Sequence, residues 1–236
     1  MKNKGKLGLT VVIAAIVFCF PACGGGGKVV NSAEELKAYL DSQPANSPDK
    51  PIKVSMGANE LMLPKIRKVL NSEGKYVSLN ITGNALATIP EEAFEKCETL
   101  VGITIPNSIN SIGENAFYRC TSLTSVTIPN SVINIGENAF CRCTSLTSIT
   151  IPKSVTSFGD EVFFGCEKLA SVTFQGTIYG DYNSGKLQGT TKINGISADI
   201  FISLFHGDLD KKYLAGGPGT YTTTAPVNNN SVWTKK

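Results

Sequence analysis

Apolar residues recur every 23 positions through the middle of the chain. Residues 121–143 (TSLTSVTIPNSVINIGENAFCRC) are followed directly by residues 144–166 (TSLTSITIPKSVTSFGDEVFFGC), and the two segments are identical at 13 of 23 positions. The preceding segment, residues 98–120, matches residues 121–143 at 14 positions. A looser unit occupies residues 75–97, and a fifth begins at Glu167 and soon loses the pattern. Self-similarity at a fixed period indicates a protein built from stacked repeats.

Each unit predicts a short strand, a tight corner and about one turn of helix. Val126 and Ile128 alternate around Thr127, which is typical of a strand, and Pro129 ends it because proline has no N–H for the ladder. Gly136 predicts the corner, and the letters ENAF predict the helical turn. One unit cannot bury its apolar groups alone, whereas stacked units can, with each strand pairing in parallel with the next. The positions expected in this core are Leu123, Val126, Ile128, Val132, Ile135, Ala139, Phe140 and Cys143.

A different pattern precedes the repeats. Residues 31–44 predict a helix with a capping box from Ser32 to Glu35. The letters PIKVSM predict a strand, and residues 63–74 predict a second amphipathic helix that stops at a glycine. We interpret this region, residues 28–74, as a helical cap that shields the first turn of the stack.

The chain leaves the repeat pattern again towards its C terminus. Residues 208–216 predict a short helix, and residues 219–236 predict a hairpin in which Tyr221 and Trp233 face each other. We interpret the two aromatic residues as cover for the last turn, with contact to a ligand as the alternative. The predicted divisions of the chain are a leader (1–22), a tether (23–27), the N-terminal cap (28–74), the stacked repeats (75–189) and the C-terminal cap (190–236).

The repeated motif LxxIxIPxSVxxIGxxAFxxC resembles the BspA-like branch of the leucine-rich repeat superfamily, which is common in bacterial surface proteins and treponeme lipoproteins. The resemblance covers residues 75 to about 175. It implies an α/β fold: a right-handed solenoid of 23-residue turns with parallel strands on its concave face, here with an N-terminal helical cap and a C-terminal hairpin cap. It also implies adhesion or ligand binding outside the cytoplasm.

The first residues predict export and a lipid anchor. Lys2, Lys4 and Lys6 precede an apolar run over residues 7–20, which is short for a membrane span. The letters FPAC resemble a lipoprotein cleavage box with Cys23 as the acylated residue, and four glycines follow as a tether. The alternative is an ordinary secretory signal in which Cys23 has no role. We therefore expect an exported protein, lipid-anchored to a bacterial membrane on the cell surface or the periplasmic side.

Charge argues against nucleic acid as a partner. Removal of the leader removes three lysines and leaves 19 basic and 19 acidic residues, so the mature chain has no net charge. Nucleic-acid binding calls for a basic face, which this balance does not supply.

Four cysteines occupy one position of the repeat: Cys97, Cys120, Cys143 and Cys166. Stacking would place them in a ladder, and the favoured interpretation is that of small buried thiols that pack the core. Disulfides between neighbours remain open, because exported thiols are prone to oxidation although stacked side chains point the same way. Cys141 takes the place of Tyr118 and Phe164, and its spacing from Cys143 does not suit zinc.

No pattern in the chain predicts catalysis. His206 is the one histidine, and no phosphate loop, nucleophile elbow or paired metal motif is present in the sequence. We predict no enzymatic activity, no metal and no cofactor.

The remaining candidate for function is the row of outward strand residues, which are small and uncharged. We expect them to form a protein-binding or adhesion surface on the concave face, with a host or envelope protein as the partner. The alternative is a structural or envelope-assembly protein without a discrete ligand. The predicted binding residues are Thr104, Thr124, Ser125, Thr127, Thr147, Ser148, Thr150 and Thr173.

Overall fold

The computed structural model describes residues 27–176, 192–193, 196–197 and 209–236. Several predicted features lie outside the described residues: the leader, the predicted lipid site at Cys23, most of the glycine tether, residues 177–189 of the predicted repeat region, and His206.

Fifteen strands and three helices are assigned within these residues. The strands are β1 (Lys28–Val30), β2 (Ile52–Gly57), β3 (Val77–Thr82), β4 (Thr88–Ile89), β5 (Leu100–Thr104), β6 (Ser111–Ile112), β7 (Ser125–Thr127), β8 (Asn134–Ile135), β9 (Ser148–Ile151), β10 (Ser157–Phe158), β11 (Ser171–Phe174), β12 (Lys192–Ile193), β13 (Ile196–Ser197), β14 (Gly219–Thr222) and β15 (Thr234–Lys235). The helices are α1 (Ala33–Asp41), α2 (Leu63–Glu73) and α3 (Leu209–Gly216).

The longer strands stack in parallel, one per coil, as the repeat predicts. The first sheet has the order β1-β2-β3-β5-β7, and β9 pairs with β11 in a second sheet. Ile103 lies opposite Val126, 23 residues later, so the sequence period equals one coil. Within the described residues no ladder joins β7 to β9, so the expectation that every strand pairs with the next is wrong at this one junction. Val126, expected in the core, is half-buried there.

The N-terminal region continues the same sheet. Its predicted strand and both predicted helices are present, and β1 and β2 pair in parallel with each other and with β3. Lys28 lies opposite Val54 and Ile52 opposite Val77, which gives coils of 26 and 25 residues. These longer coils have room for α1 and α2, which pack on each other. The region adds two helix-bearing coils to the stack, and its role as a separate cap stays a prediction.

Local signals place the two helices. The Ser32 hydroxyl accepts the N–H of Glu35 at 3.1 Å, which begins α1 as the capping box predicts. Gly74 follows α2 with a φ of 60°, a left-handed conformation that glycine adopts without strain and that stops the helix. Arg67 of α2 ties this region to the first repeat, because its Nη1 donates to the carbonyl of Glu92 at 2.6 Å.

A third, narrow sheet forms a further side of each coil. It consists of β4, β6, β8 and β10, which pair in parallel in that order. Each contributes two residues, and Ile89, Ile112 and Ile135 point into the core. The isoleucine at this repeat position therefore closes the interior opposite the longer strands.

The segment predicted as a helical turn is a run of consecutive turns instead, so that prediction is wrong. The N–H groups of Asn115, Phe117 and Arg119 donate to the carbonyls of residues 137, 139 and 141 in the next coil, at 2.8–2.9 Å. Asn115 and Arg119 have φ values of 52° and 59°, which a right-handed helix excludes. A helix would direct these N–H groups along its own coil, whereas here they connect one coil to the next.

The core is a stack of identical side chains. The rings of Phe94, Phe117, Phe140 and Phe163 lie nearly parallel at centroid distances of 5.3, 5.1 and 5.5 Å. The four repeat cysteines are buried and free, which favours packing over disulfides. The positions predicted as core are buried, with the half-buried Val126 as the exception.

The C-terminal hairpin closes one edge of the second sheet. β14 pairs antiparallel with β11 and with β15, and α3 precedes it, so the predicted helix and hairpin are present. The predicted pairing of Tyr221 with Trp233 is wrong, because the register places Tyr221 opposite Lys235. The rings of Phe174, Tyr213 and Tyr221 lie 4.4–6.2 Å apart beneath it. Tyr221 and Trp233 are buried, which supports their interpretation as cover and leaves neither ring exposed to a ligand.

Candidate binding surface

Two columns of polar residues run across the outward face of the first sheet. Strand alternation turns every second side chain away from the core, and the parallel register aligns these residues from coil to coil. The serine column consists of Lys53, Ser78, Gly102 and Ser125. The threonine column consists of Ser55, Asn80, Thr104 and Thr127.

The second sheet continues the same pattern. Ser148 and Ser171 lie opposite each other, as do Thr150 and Thr173. β14 adds Thr222 beside Ser171 and Thr220 beside Thr173. The face therefore presents hydroxyl groups along its length, and Lys53 is the one charged member among these described columns.

A groove of about 340 Å³ opens in the first sheet around Gly102. A Cβ atom at Gly102 would lie 2.9 Å from the Ser78 hydroxyl and 3.3 Å from the Ser125 hydroxyl, so the absence of a side chain creates a notch in the serine column. Asn80 closes one wall and donates from Nδ2 to the Ser55 hydroxyl at 3.2 Å. The groove offers hydroxyl, amide and ammonium groups to a ligand. Its lining residues are Gly27, Lys53, Val54, Ser55, Ser78, Leu79, Asn80, Gly102, Ile103, Thr104, Ser125 and Thr127.

A second groove of about 420 Å³ lies at the carboxyl ends of the central strands. It opens where β7 and β9 are not joined by a ladder, and the half-buried Val126 contributes to its wall. Thr127 lines both grooves, and Thr150 lines the second. The two grooves therefore meet at Thr127.

The structure brings some of the eight predicted binding residues together and separates others. Thr104, Ser125, Thr127 and Thr150 line the grooves, whereas Thr124, Thr147, Ser148 and Thr173 line neither. Thr124 and Thr147 precede their strands, and the Thr124 hydroxyl donates to the carbonyl of Val101 at 3.0 Å. The hydroxyls of Thr173 and Thr220 lie 2.9 Å apart, because β14 pairs with β11 and places these two threonines opposite each other.

Sequence reasoning missed four residues of the first groove: Lys53, Ser55, Ser78 and Asn80. Lys53 and Ser55 belong to the region interpreted as a cap, and the other two belong to the looser first repeat. The alternation in PIKVSM and VSLNIT was the available signal, because it places these residues on the face opposite Val54, Met56, Leu79 and Ile81.

Two further features bear on function. Within the described ranges, no group of three or more His, Cys, Asp or Glu side chains is placed to hold a metal ion. Among the described helices, none combines the length and the apolar character needed to cross a bilayer.

Comparison with known proteins places the chain by its repeats. A family model described as "BspA type Leucine rich repeat region" matches residues 67–185 in six copies. No curated protein matches the chain.

Solved structures of three bacterial leucine-rich repeat proteins are similar to parts of the chain. The T. pallidum protein TpLRR is 27% identical over 63% of this chain and 59% of its own length, with a TM-score of 0.41. A protein from Bacteroides ovatus is 33% identical over 44% of this chain and 28% of its own length, with a TM-score of 0.37. A protein from Bacteroides capillosus is 40% identical over 39% of this chain and 64% of its own length, with a TM-score of 0.36. The chain thus spans less than two thirds of each of these proteins. The family model matches half of the chain, and the chain belongs to the BspA-type leucine-rich repeat family.

Proposed function

We propose that the protein is an envelope-anchored binding or adhesion module that engages a protein partner through the outward face of its central strands. The observation that carries the proposal is the meeting of two grooves at Thr127, on a face of stacked strands lined by uncharged hydrogen-bonding groups. Stacked repeats of this kind provide extended binding surfaces. A partner from the host or from the envelope suits the export predicted from residues 1–22.

The neutral face determines what kind of partner fits. Hydroxyl and amide groups bind by directional hydrogen bonds, and a mature chain without net charge offers little long-range steering. We therefore expect binding that responds weakly to salt and strongly to shape, in contrast to recognition of a polyanion.

A binding screen tests this proposal directly. The full chain, solubilised in mild detergent, is measured by biolayer interferometry against host matrix proteins and against envelope extracts fractionated to single proteins. For a partner found in this way, the double variant Thr127→Arg/Thr150→Arg should lower the affinity at least about tenfold, or 1.4 kcal/mol, because two long side chains fill the second groove. Its thermal midpoint should stay near that of the wild type, since both threonines are exposed.

The matched control is Val232→Arg, a comparable bulky change at a residue that is 66% exposed beside the C-terminal hairpin. Trp233 is unsuitable because it is buried, and its replacement would disturb folding. Binding that survives the double variant and is lost in Val232→Arg would move the interface to the hairpin. If no partner emerges and proteases do not reach the protein on intact cells, the structural-envelope alternative is correct.

Anchoring through Cys23 is a separate part of the proposal. Lipidation needs the Cys23 thiol to form the thioether that carries the acyl chains, so Cys23→Ala should abolish labelling by a radioactive fatty acid. Cys19→Ala, four residues earlier in the predicted leader, is the matched control and should keep the label. Equal labelling of Cys23→Ala and wild type would exclude Cys23 as the site.

A further inference from the structure

A cavity of about 570 Å³ lies away from the strand face, where the C-terminal loop meets the coils. One wall consists of the segments that precede β7, β9 and β11, and the other consists of residues 226–229. The loop is held in place because the N–H of Val227 donates to the carbonyl of Glu167 at 2.6 Å. The Asn228 N–H donates to the Ser231 hydroxyl at 2.9 Å, which fixes the tip. The cavity therefore has two ordered walls.

Two arginines in register line this cavity. Arg119 and Arg142 occupy the same position of successive coils, and their φ values of 59° and 60° give them the same backbone conformation. Their N–H groups donate to the carbonyls of Cys141 and Phe164 in the following coils at 2.9 and 2.7 Å. Both residues are exposed and stand one coil apart, which is roughly 4.8 Å at the backbone.

No described carboxylate lies within 4 Å of either guanidinium, although other cations of the protein are paired. Arg67 lies 3.6 Å from a Glu95 oxygen, and Lys96, in the same repeat position one coil before Arg119, lies 2.7 Å from Glu95. Arg119 has a neutral neighbour, the Tyr118 ring, at 5.9 Å. Like charges in adjacent register repel each other, so the fold holds two cations that an anion between them would stabilise.

The next coil has a glycine where the preceding coils have Lys96, Arg119 and Arg142. A Cβ atom at Gly165 would lie 3.0 Å from Cγ of Arg142, so the absence of a side chain there makes room for the Arg142 side chain itself. Phe164 lines the cavity with 41% of its surface exposed, and Pro226 and Val227 line it from the loop. The cavity thus combines paired cations with an apolar wall.

The charge balance of the lining selects among anions. Glu167 also lines the cavity, and its carboxylate offsets one of the two guanidinium charges. The lining therefore has a net charge of about one positive unit. A guanidinium matches a carboxylate in bidentate geometry. A dianion such as phosphate would bring its second charge towards Glu167, whereas a single carboxylate with an apolar body would not.

We propose that this cavity binds a carboxylate next to an apolar group, with Arg119 and Arg142 on the carboxylate and Phe164 and Val227 on the apolar body. The same chemistry is found in a small organic acid and in the C-terminal residue of a peptide. The site shares no residue with the strand-face grooves, so it stands whether or not the proposed adhesion surface is correct.

Calorimetric titration of the full chain in mild detergent tests the site with matched probes. N-acetylphenylalanine and the peptide acetyl-Gly-Gly-Phe carry the carboxylate, and their C-terminal amides lack it. We expect each acid that binds to bind at least tenfold more tightly than its amide. The variant Arg119→Gln/Arg142→Gln should abolish this difference in affinity. The control Lys153→Gln/Lys168→Gln removes the same amount of charge from exposed residues outside the lining, and it should retain the difference.

Preference for the peptide over the amino-acid probe would identify a chain terminus as the ligand, and the reverse preference would identify a small acid. Glu167→Gln should increase the affinity for inorganic phosphate relative to N-acetylphenylalanine. The proposal is overturned if acids and amides bind equally, if neither acid binds at millimolar concentration, or if the arginine variant, folded by circular dichroism, binds the acids as the wild type does.

Discussion

The thiol of Cys143 donates a hydrogen bond to the backbone carbonyl of Phe117, one coil earlier, at 3.2 Å. The same carbonyl accepts the N–H of Cys120 at 3.2 Å, so both of its lone pairs are used. Cys120 and Cys166 form the equivalent bonds to the carbonyls of Phe94 and Phe140 at 3.0 and 3.1 Å. A small apolar side chain with a weak donor suits this position, which explains why cysteine recurs there.

We expect Cys143→Ala to lower the free energy of unfolding by about 1 to 3 kcal/mol, because it leaves a small cavity and removes a donor from a buried carbonyl. Cys141→Ala is the control: this thiol is also buried but makes no hydrogen bond among the described residues, and its loss should cost less. Urea denaturation followed by circular dichroism measures both. A larger cost for Cys141→Ala would mean that the thiol–carbonyl bond contributes nothing.

Burial also makes stability depend on alkaline pH. It raises the pKa of Cys97 to about 12 and the pKa values of Cys120 and Cys143 well above their ordinary range. An unfolded cysteine ionises near pH 8.5. Above that pH the unfolded chain releases these protons while the folded chain retains them, so the stabilisation is complete below about pH 8.5 and is lost as the pH rises towards the folded pKa.

We therefore expect the urea midpoint to fall between pH 8 and pH 10, because each such thiol lowers the free energy of unfolding by up to about 1.4 kcal/mol per pH unit. In Cys97→Ala the midpoint should fall less steeply, because the contribution of one thiol is missing. All other titratable groups are the same in the two proteins, so their contribution cancels in the comparison. Parallel pH curves for the two proteins would show that Cys97 ionises equally in the folded and unfolded chains.

The sequence period was sufficient to place the core. Ile135, Phe140 and Cys143 are buried as predicted, because a side chain repeated at every coil must point the same way in each. The turn around Asn115 could not be derived in this way. Its residues suit a helix locally, and what decides against the helix is a bond to another coil, such as that from the N–H of Phe117 to the carbonyl of Ala139 at 2.8 Å.

The binding surface was predicted only in part for a related reason. Thr104, Ser125, Thr127 and Thr150 follow the 23-residue period, so their common face could be predicted. Ser55 belongs to a coil of 25 residues, and its place beside Asn80 depends on strand pairing that no fixed period reveals. The cavity at Arg119 was missed because its other wall, residues 226–229, lies far away in the sequence.

The phenylalanine stack should carry much of the stability. Phe140→Ala removes a buried ring between two others, at 5.1 Å from Phe117 and 5.5 Å from Phe163, and we expect a loss of about 3 to 5 kcal/mol. Thr127→Ala, on the exposed face, should change stability by less than about 0.5 kcal/mol. If Thr127→Ala lowered the denaturant midpoint more than Phe140→Ala, the assignment of Phe140 to the core and of Thr127 to the outward face would be wrong.

The glycine at the corner of three successive repeats (Gly113, Gly136 and Gly159) is needed for a reason that the sequence did not reveal. The φ of Gly136 lies outside the left-handed range, so the backbone angle does not demand glycine. What demands it is the preceding coil: a Cβ atom here would lie 2.6 Å from the backbone nitrogen of Glu114 and 2.7 Å from the carbonyl carbon of Gly113. These are backbone atoms of a stacked coil, which cannot rotate away as a side chain can.

We therefore expect Gly136→Ala to lower the free energy of unfolding by about 3 kcal/mol, since the two coils must separate to admit the methyl group. Gly57→Ala is the matched control, because the nearest atom to a Cβ there is the Thr82 carbonyl oxygen at 3.9 Å, an ordinary contact. That variant should be unchanged or more stable by up to about 1 kcal/mol, since alanine restricts the unfolded chain more than glycine does. Thermal and urea unfolding of the two variants supply the comparison. Equal stability of Gly136→Ala and Gly57→Ala would contradict the close approach of the coils, because an unrestrained corner would accept alanine as readily as an exposed strand end.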